Sequence, residues 1–138
     1  MINKIKNRFK SRCFDFVETN YKKIPFDKIK PAEFSLGNGD CHNNSVAAIN
    51  GKRADKVWLV WGGKKDGCVH FINSNKGLFF DETWHDYQNQ NYYIIRLIDP
   101  SEYEYIGDLL STVKRMLFNI NGTLFSRYFG MKKLHAWI

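Results

Sequence analysis

Three features of the chain point to an α+β fold. An amphipathic basic segment opens it, short apolar runs separated by turn residues fill its middle, and a second amphipathic segment follows Asp99-Pro100. With 138 residues, 43% hydrophobic and 16% aromatic, it fits one domain over 1–138 with a single packed core. The expected architecture is an antiparallel sheet of about four strands packed against a central helix, with flanking N- and C-terminal helices.

The elements follow in order. Ile2, Ile5, Phe9, Cys13, Phe16 and Val17 recur at steps of three and four, which predicts an amphipathic helix over 1–18. Its other face carries Lys4, Lys6, Arg8, Lys10 and Arg12. From Asn20 to Asp40 the period dissolves around Pro25, Pro31, Gly37 and Gly39, which reads as a long irregular connection. Connections of that length in compact domains often carry function. Asp40 suits the N-cap of a helix that starts at Cys41, runs through Ile49 and stops at Gly51.

Four strands are expected next: Val57 to Trp61, Cys68 to Asn73, Leu78 to Trp84 and Tyr92 to Ile98. Asp66-Gly67 and Asn75-Lys76-Gly77 supply turns between them, so the order reads as an antiparallel meander. Asp99-Pro100-Ser101 then opens a packing helix over 101–118, with Ile106, Leu109, Leu110, Val113, Met116 and Leu117 on one face. Beyond Thr123 the pattern fits a short helix ending at Gly130.

The net charge of +7 favours acidic partners. Much of it lies on the first helix and at Lys22, Lys23, Lys28 and Lys30, which fits a solvated face or a docking surface for an acidic protein. No RNP, KH or zinc-finger pattern adds base contacts, so sequence-specific nucleic-acid binding is not expected. No run approaches the roughly 18–20 apolar residues that span a bilayer, and the basic start leads into no apolar signal region. Cytoplasmic localisation away from membranes is the expectation. Cys13, Cys41 and Cys68 are odd in number with no CxxC pair, which fits reduced thiols.

The chemistry centres on Gly37-Asn38-Gly39-Asp40-Cys41-His42-Asn43-Asn44. A thiol at a helix start faces unpaired N–H groups and the positive end of the dipole, which favour the nucleophilic thiolate and can later hold an oxyanion. Asp40 opposes that by like charge, so a base is needed. His70, in the strand Cys68-Val69-His70-Phe71-Ile72, is the candidate. A loop of Asn75-Lys76, or of Ser74 to Gly77, sets Asp81 directly opposite His70, with Cβ atoms about 4.5–5.5 Å apart. A three-residue loop with a bulge at Gly77 puts Glu82 there instead. Cys41 is thus the candidate nucleophile, His70 the base, and Asp81 or alternatively Glu82 the orienting carboxylate.

Asp40-Cys41-His42-Asn43 before a helix, with His70 and then Phe79-Phe80-Asp81 on successive strands, resembles the papain-like fold in its transglutaminase-like and NlpC/P60-like forms. The resemblance covers about Asn38 to Trp84, and the strand from Tyr92 extends the catalytic core to 38–98. It implies a cysteine-bearing helix packed on a sheet that carries the histidine and its polar partner. It implies too that Cys41 is nucleophile, His70 base then acid, and Asp81 orienter, with no cofactor. Trp and Gly neighbours of the cysteine are absent, as is the papain-type glutamine before it, and Asn38 is the candidate substitute as oxyanion donor. The implied activity is that of a cysteine hydrolase, peptidase or amidase, or of a transglutaminase-like acyltransferase. Its substrates are proteins or peptides, attacked at an amide, isopeptide or ester carbonyl.

Other readings stand beside this one. His42 lies about 100° around the helix from Cys41, where it lines the cleft or faces solvent rather than deprotonating the thiol. Cys68 and His70, joined by Cys41, His42 and His85, form an alternative zinc set, though without paired CxxC or HxxxH spacing. Trp58, Trp61 and Trp84 fall in strands, as core or cleft walls. The remaining alternative is a non-catalytic binding module on the same fold, recognising an acidic partner through its basic face.

Overall fold

The computed structural model describes residues 1–132 and 137–138. Helix α1 (Ile2–Asn20) leads into a two-residue edge strand β1 (Lys22–Lys23); α2 (Cys41–Asn50) follows the long connection. Then come β2 (Lys56–Gly62), β3 (Cys68–Asn75), β4 (Leu78–Phe80) and β5 (Tyr92–Ile98), and finally α3 (Ile106–Asn121) and α4 (Leu124–Lys132). The sheet is antiparallel, in the order β1-β5-β2-β3-β4.

Both faces of this sheet are covered, which explains the unbroken run Val57-Trp58-Leu59-Val60-Trp61. Alternation sends Val57, Leu59 and Trp61 to one side, where they join Val69, Phe71 and Tyr93 under the helices. There α1 contributes Phe9, Cys13, Phe14 and Val17, and α3 contributes Val113, Leu117 and Phe118. Phe9 stacks on Phe118 at 4.2 Å, tying the first helix to the third. On the other side Val60, Ile72 and Tyr92 pack with Ile24 from the long connection and with Trp58, Trp84 and Ile94.

Several expectations need correction. The sheet has five strands rather than about four, because Lys22–Lys23 pairs with Tyr93 and Ile94 at its edge. It is not a simple meander: β5 crosses back to pair with β2, not β4. A strand buried at Tyr92, Tyr93 and Ile98 needs neighbours, and β4 is too short to supply one. The strand expected over Leu78 to Trp84 ends at Phe80. Asp81 Oδ1 accepts the N–H groups of Thr83 (2.9 Å) and Trp84 (3.2 Å), a local turn that takes the backbone out of the ladder. The expected third helix begins as a 3₁₀ segment at Pro100–Tyr105 and becomes α-helical at Ile106, with Asp99 and Glu102 forming a capping box. Gly130 does not end α4; a Cβ there would enter the Phe118 ring, so the glycine serves close packing on α3. The rest of the expected tail, over 133–136, lies outside the described residues.

The β3–β4 hairpin also differs from both expected registers. Its pairs are Asn75–Leu78, Ser74–Phe79 and Asn73–Phe80, closed by a two-residue Lys76-Gly77 turn with φ of 51° and 80°. Positive φ at both positions matches the twist of the strands, and the Lys76 N–H is anchored on Asp55 Oδ2 at 3.0 Å. Carried one residue past the end of β4, this register sets Asp81 opposite Ile72 and diagonal to His70. A shift of two residues keeps it on the same face.

The long connection runs beside β4 and the turn that follows it. Lys30 donates its N–H to the Phe79 carbonyl (2.8 Å), Leu36 to Glu82 (2.7 Å) and Gly37 to Thr83 (3.0 Å). Through these bonds the residues just before α2 are strapped against the residues just after Asp81. No helix among the described residues is long and apolar enough to cross a membrane.

A left-handed lysine in the hairpin turn is a soluble flaw. Lys76→Asn is expected to raise stability by roughly 0.5–1 kcal/mol, since asparagine tolerates this conformation better. Urea unfolding should show a higher midpoint with an unchanged slope.

Candidate active site

The Asp81 carboxylate is the hub of the site. Besides the two backbone N–H groups on Oδ1, its Oδ2 accepts from His70 Nε2 at 2.8 Å and from the Tyr92 hydroxyl at 2.7 Å. Residue Asp81 is 2% exposed, as is His70, so the pair lies in a low-dielectric setting where four donors compensate the buried charge. Tyr92 reaches Asp81 from β5 by passing the end of β2 at Gly62. A Cβ on Gly62 would stand 2.5 Å from the Trp84 ring and 3.6 Å from Tyr92, so bare backbone at that point makes room for both rings.

Trp84 stacks on the imidazole of His70 with centroids 3.9 Å apart and planes 10° from parallel. Held by Trp84 on its face and by Asp81 at Nε2, the ring has one nitrogen left, Nδ1, for a further partner. The Cys41 thiol, 8% exposed at the first position of α2, is the other group near enough to bear on the His70 charge. The strap at Leu36 and Gly37 brings α2 here, and Asn44 Nδ2 locks its first turn to Thr83 Oγ1 at 2.9 Å.

Burial alone would lower the pKa of His70, but the hydrogen bonds and charges of Asp81 and Cys41 override it and raise it to about 9. Asp81 is shifted the opposite way. Burial pushes its pKa up, yet the His70 and Tyr92 donors and the Thr83 N–H hold it below the ordinary carboxylate value. Burial and the Asp81 charge raise the Tyr92 phenol, which stays a proton donor. Burial pushes the Cys13 thiol to about 12 and raises that of Cys68 as well.

The remaining expected residues fall out as follows. Glu82 is not beside His70; it forms a two-pronged pair with Arg53 at 2.8 and 3.0 Å. Asn38 is engaged with Asn44, accepting its Nδ2 at 2.9 Å and the Asp40 N–H at 3.0 Å, so it braces the loop before α2. The Asp40 side chain caps no backbone N–H; it accepts from Asn43 Nδ2 and lies 3.3 Å from His42 Nε2. His85 bonds Ser35 Oγ instead of joining Cys68 and His70. Among the described residues no three histidine, cysteine or acidic side chains gather as a metal-holding set. Trp58 donates to Ser74, Trp61 is fully buried in its strand, and Trp84 lies beyond β4 rather than in a strand.

Tyr92 was not expected in the site, because only the crossover of β5 to β2 brings it there. A cleft of about 230 Å³ adjoins the site, lined by Gly62, Gly63, Asp66, Gly67, Cys68, Trp84, Asp86 and Gln90. Comparison of the chain with protein families, curated proteins and solved structures finds no match.

Four donors converge on Asp81, so an amide there would set its own N–H groups against them. Asp81→Asn is expected to lower stability by about 3 kcal/mol, and Tyr92→Phe, which removes one donor of four, by about 1 kcal/mol. Denaturant unfolding of the two variants measures the difference.

Proposed function

We propose that the chain is a thiol-dependent hydrolase or acyltransferase built on a papain-like arrangement, with peptidase or amidase activity favoured. The observation that carries the reading is the helix-start thiol of Cys41 near a buried imidazole whose Nε2 is held by a fully hydrogen-bonded carboxylate. Cys41 attacks an amide, isopeptide or ester carbonyl while His70 holds the thiol proton. The tetrahedral oxyanion lies at the start of α2, where the first-turn N–H groups lack acceptors within the helix. As the C–N or C–O bond breaks, His70 gives its proton to the leaving group, and a thioester remains on Cys41. His70 then takes a proton from water or an amine, which attacks the thioester and releases the acyl product and the Cys41 thiol. Asp81 keeps the imidazole in one orientation and stabilises its protonated form throughout. Trp84 keeps water from the ring face.

A binding-module reading keeps one supporting observation. Lys4, Arg8 and Arg12 on α1, and Lys22, Lys23 and Lys28 after it, are exposed, a basic surface suited to an acidic protein.

Two experiments test the enzyme reading. Iodoacetamide is expected to alkylate Cys41 at least about tenfold faster than Cys13 or Cys68, with the advantage lost in His70→Ala, as peptide mass spectrometry would show. Equal rates at the three thiols would leave only the binding module.

The second is pH dependence. With a folded pKa near 9 against 6.5 for a free histidine, protonated His70 stabilises the fold fully below pH 6.5, and that contribution is lost as pH rises through 9. Asp81, lowered below 3.8, contributes above that value and loses its contribution as pH falls through its folded pKa. Stability should thus decline between pH 6.5 and 9 in the wild type and stay flat there in His70→Gln. Thermal melts across that range measure it.

A further inference from the structure

We infer that Tyr92 is a positioning residue that sets how firmly His70 holds its transferable proton: its hydroxyl donates to the same Asp81 oxygen that receives His70 Nε2, and so limits the charge that oxygen presents to the imidazole. The proton in question is the one His70 passes to the leaving group, so the role rests on the acyl-transfer reading. An ionised carboxylate offers about four lone-pair sites on its two oxygens. In Asp81 all are taken. Oδ1 accepts the N–H groups of Thr83 and Trp84, at 2.9 and 3.2 Å, which belong to its own turn. Oδ2 accepts His70 Nε2 at 2.8 Å and the Tyr92 hydroxyl at 2.7 Å. Tyr92 arrives from β5 and is 1% exposed. Its ring is the third of a stack: Trp84 lies between, with centroids 3.9 Å from His70 and 6.0 Å from Tyr92, and no two of the three planes differ by more than 28°.

Two donors on one oxygen draw on the same negative charge. The phenol bond spreads the charge of Oδ2 and favours the ionised carboxylate, and a less basic carboxylate polarises the Nε2–H bond less. The second ring proton, at Nδ1, is then held less firmly and passes more readily to the leaving group. Without the hydroxyl, Oδ2 serves His70 alone and the ring keeps that proton. No solvent stands in for the lost donor, since Asp81 and His70 are both 2% exposed. The other titratable groups around the imidazole are Cys41 from α2, Cys68 two residues earlier on β3, and Lys114 on α3, which contacts β3. Further out, Lys10 bonds the Asp66 carbonyl, Asp66 and Asp86 line the cleft beside Trp84, and Glu82 is paired with Arg53. All of them stay when the Tyr92 oxygen is removed, so a difference between the two proteins isolates that oxygen.

The test is the NMR titration of His70 in the full chain, its ring signal assigned by its absence from His70→Gln. In Tyr92→Phe, which keeps the ring and removes the hydroxyl, the His70 midpoint is expected to rise by about half a pH unit or more. Structural support alone predicts the opposite sign, because a loosened site lets the midpoint fall toward the free value of 6.5. Tyr93→Phe makes the same change one residue on, where the hydroxyl meets Glu18 of α1 at 3.4 Å, and is expected to leave the midpoint in place. With 3-fluorotyrosine at position 92, a stronger donor in nearly the same space, the midpoint is expected to fall. An unchanged or lower midpoint in Tyr92→Phe overturns the proposal, and so does an equal rise in Tyr93→Phe. Should Tyr92→Phe not fold, the fluorinated chain decides, and there an unchanged or higher midpoint overturns it. The acyl-transfer reading is separable. Iodoacetamide labelling of Cys41 that is indifferent to His70→Ala would sink that reading, while the shifted midpoint would keep Tyr92 as the group that tunes the imidazole.

Discussion

A single buried carboxylate organises this protein. Asp81 collects donors from β3, from β5 and from its own following turn, and each bond fixes a different part of the fold. The turn it caps ends β4 after three residues. That short strand leaves the stretch after it free to receive the Leu36 and Gly37 N–H groups, and the strap they form sets where α2 begins. Position of the thiol, orientation of the imidazole and length of the edge strand are consequences of one charge that must be satisfied inside the protein.

The surroundings of that charge are aromatic rather than polar. Trp84 stacks on His70 and packs against Gly62 without leaving space for a Cβ, and Tyr92 crosses the same bare backbone to reach the carboxylate. Shielding by two large rings strengthens the His70–Asp81 interaction and holds the imidazole rigid while leaving one nitrogen open. The thiol side is different in character. There Cys68 lines a cleft beside Gly62 and Trp84.

Much of this was legible because it depends on local rules. Periodicity marked α1 and the apolar stripe of α3, and the turn residues separated the strands. A cysteine after Asp40 was readable as the start of a helix, and it is the first residue of α2. Strand alternation puts His70 and Asp81 on one face in the expected register and in the observed one alike. An error of two residues in register preserves parity, whereas an error of one would have chosen Glu82. Glu82 instead meets Arg53, a partner 29 residues away that no local pattern announces.

What the sequence determined by itself was the main helices, four of the five strands and the chemical types available to them: a thiol at a helix start, an imidazole in a strand and a carboxylate one hairpin later. Local propensity, side-chain period and turn chemistry act over a few residues, so they can be read in one dimension. Tertiary structure decided the strand order, and with it the arrival of Tyr92 at Asp81. It decided also the engagement of Asn38 with Asn44 and the inward turn of Lys114 from a helix face that reads as ordinary amphipathic packing. Those outcomes depend on which buried polar groups find one another across long stretches of chain, a competition settled only when the whole core closes.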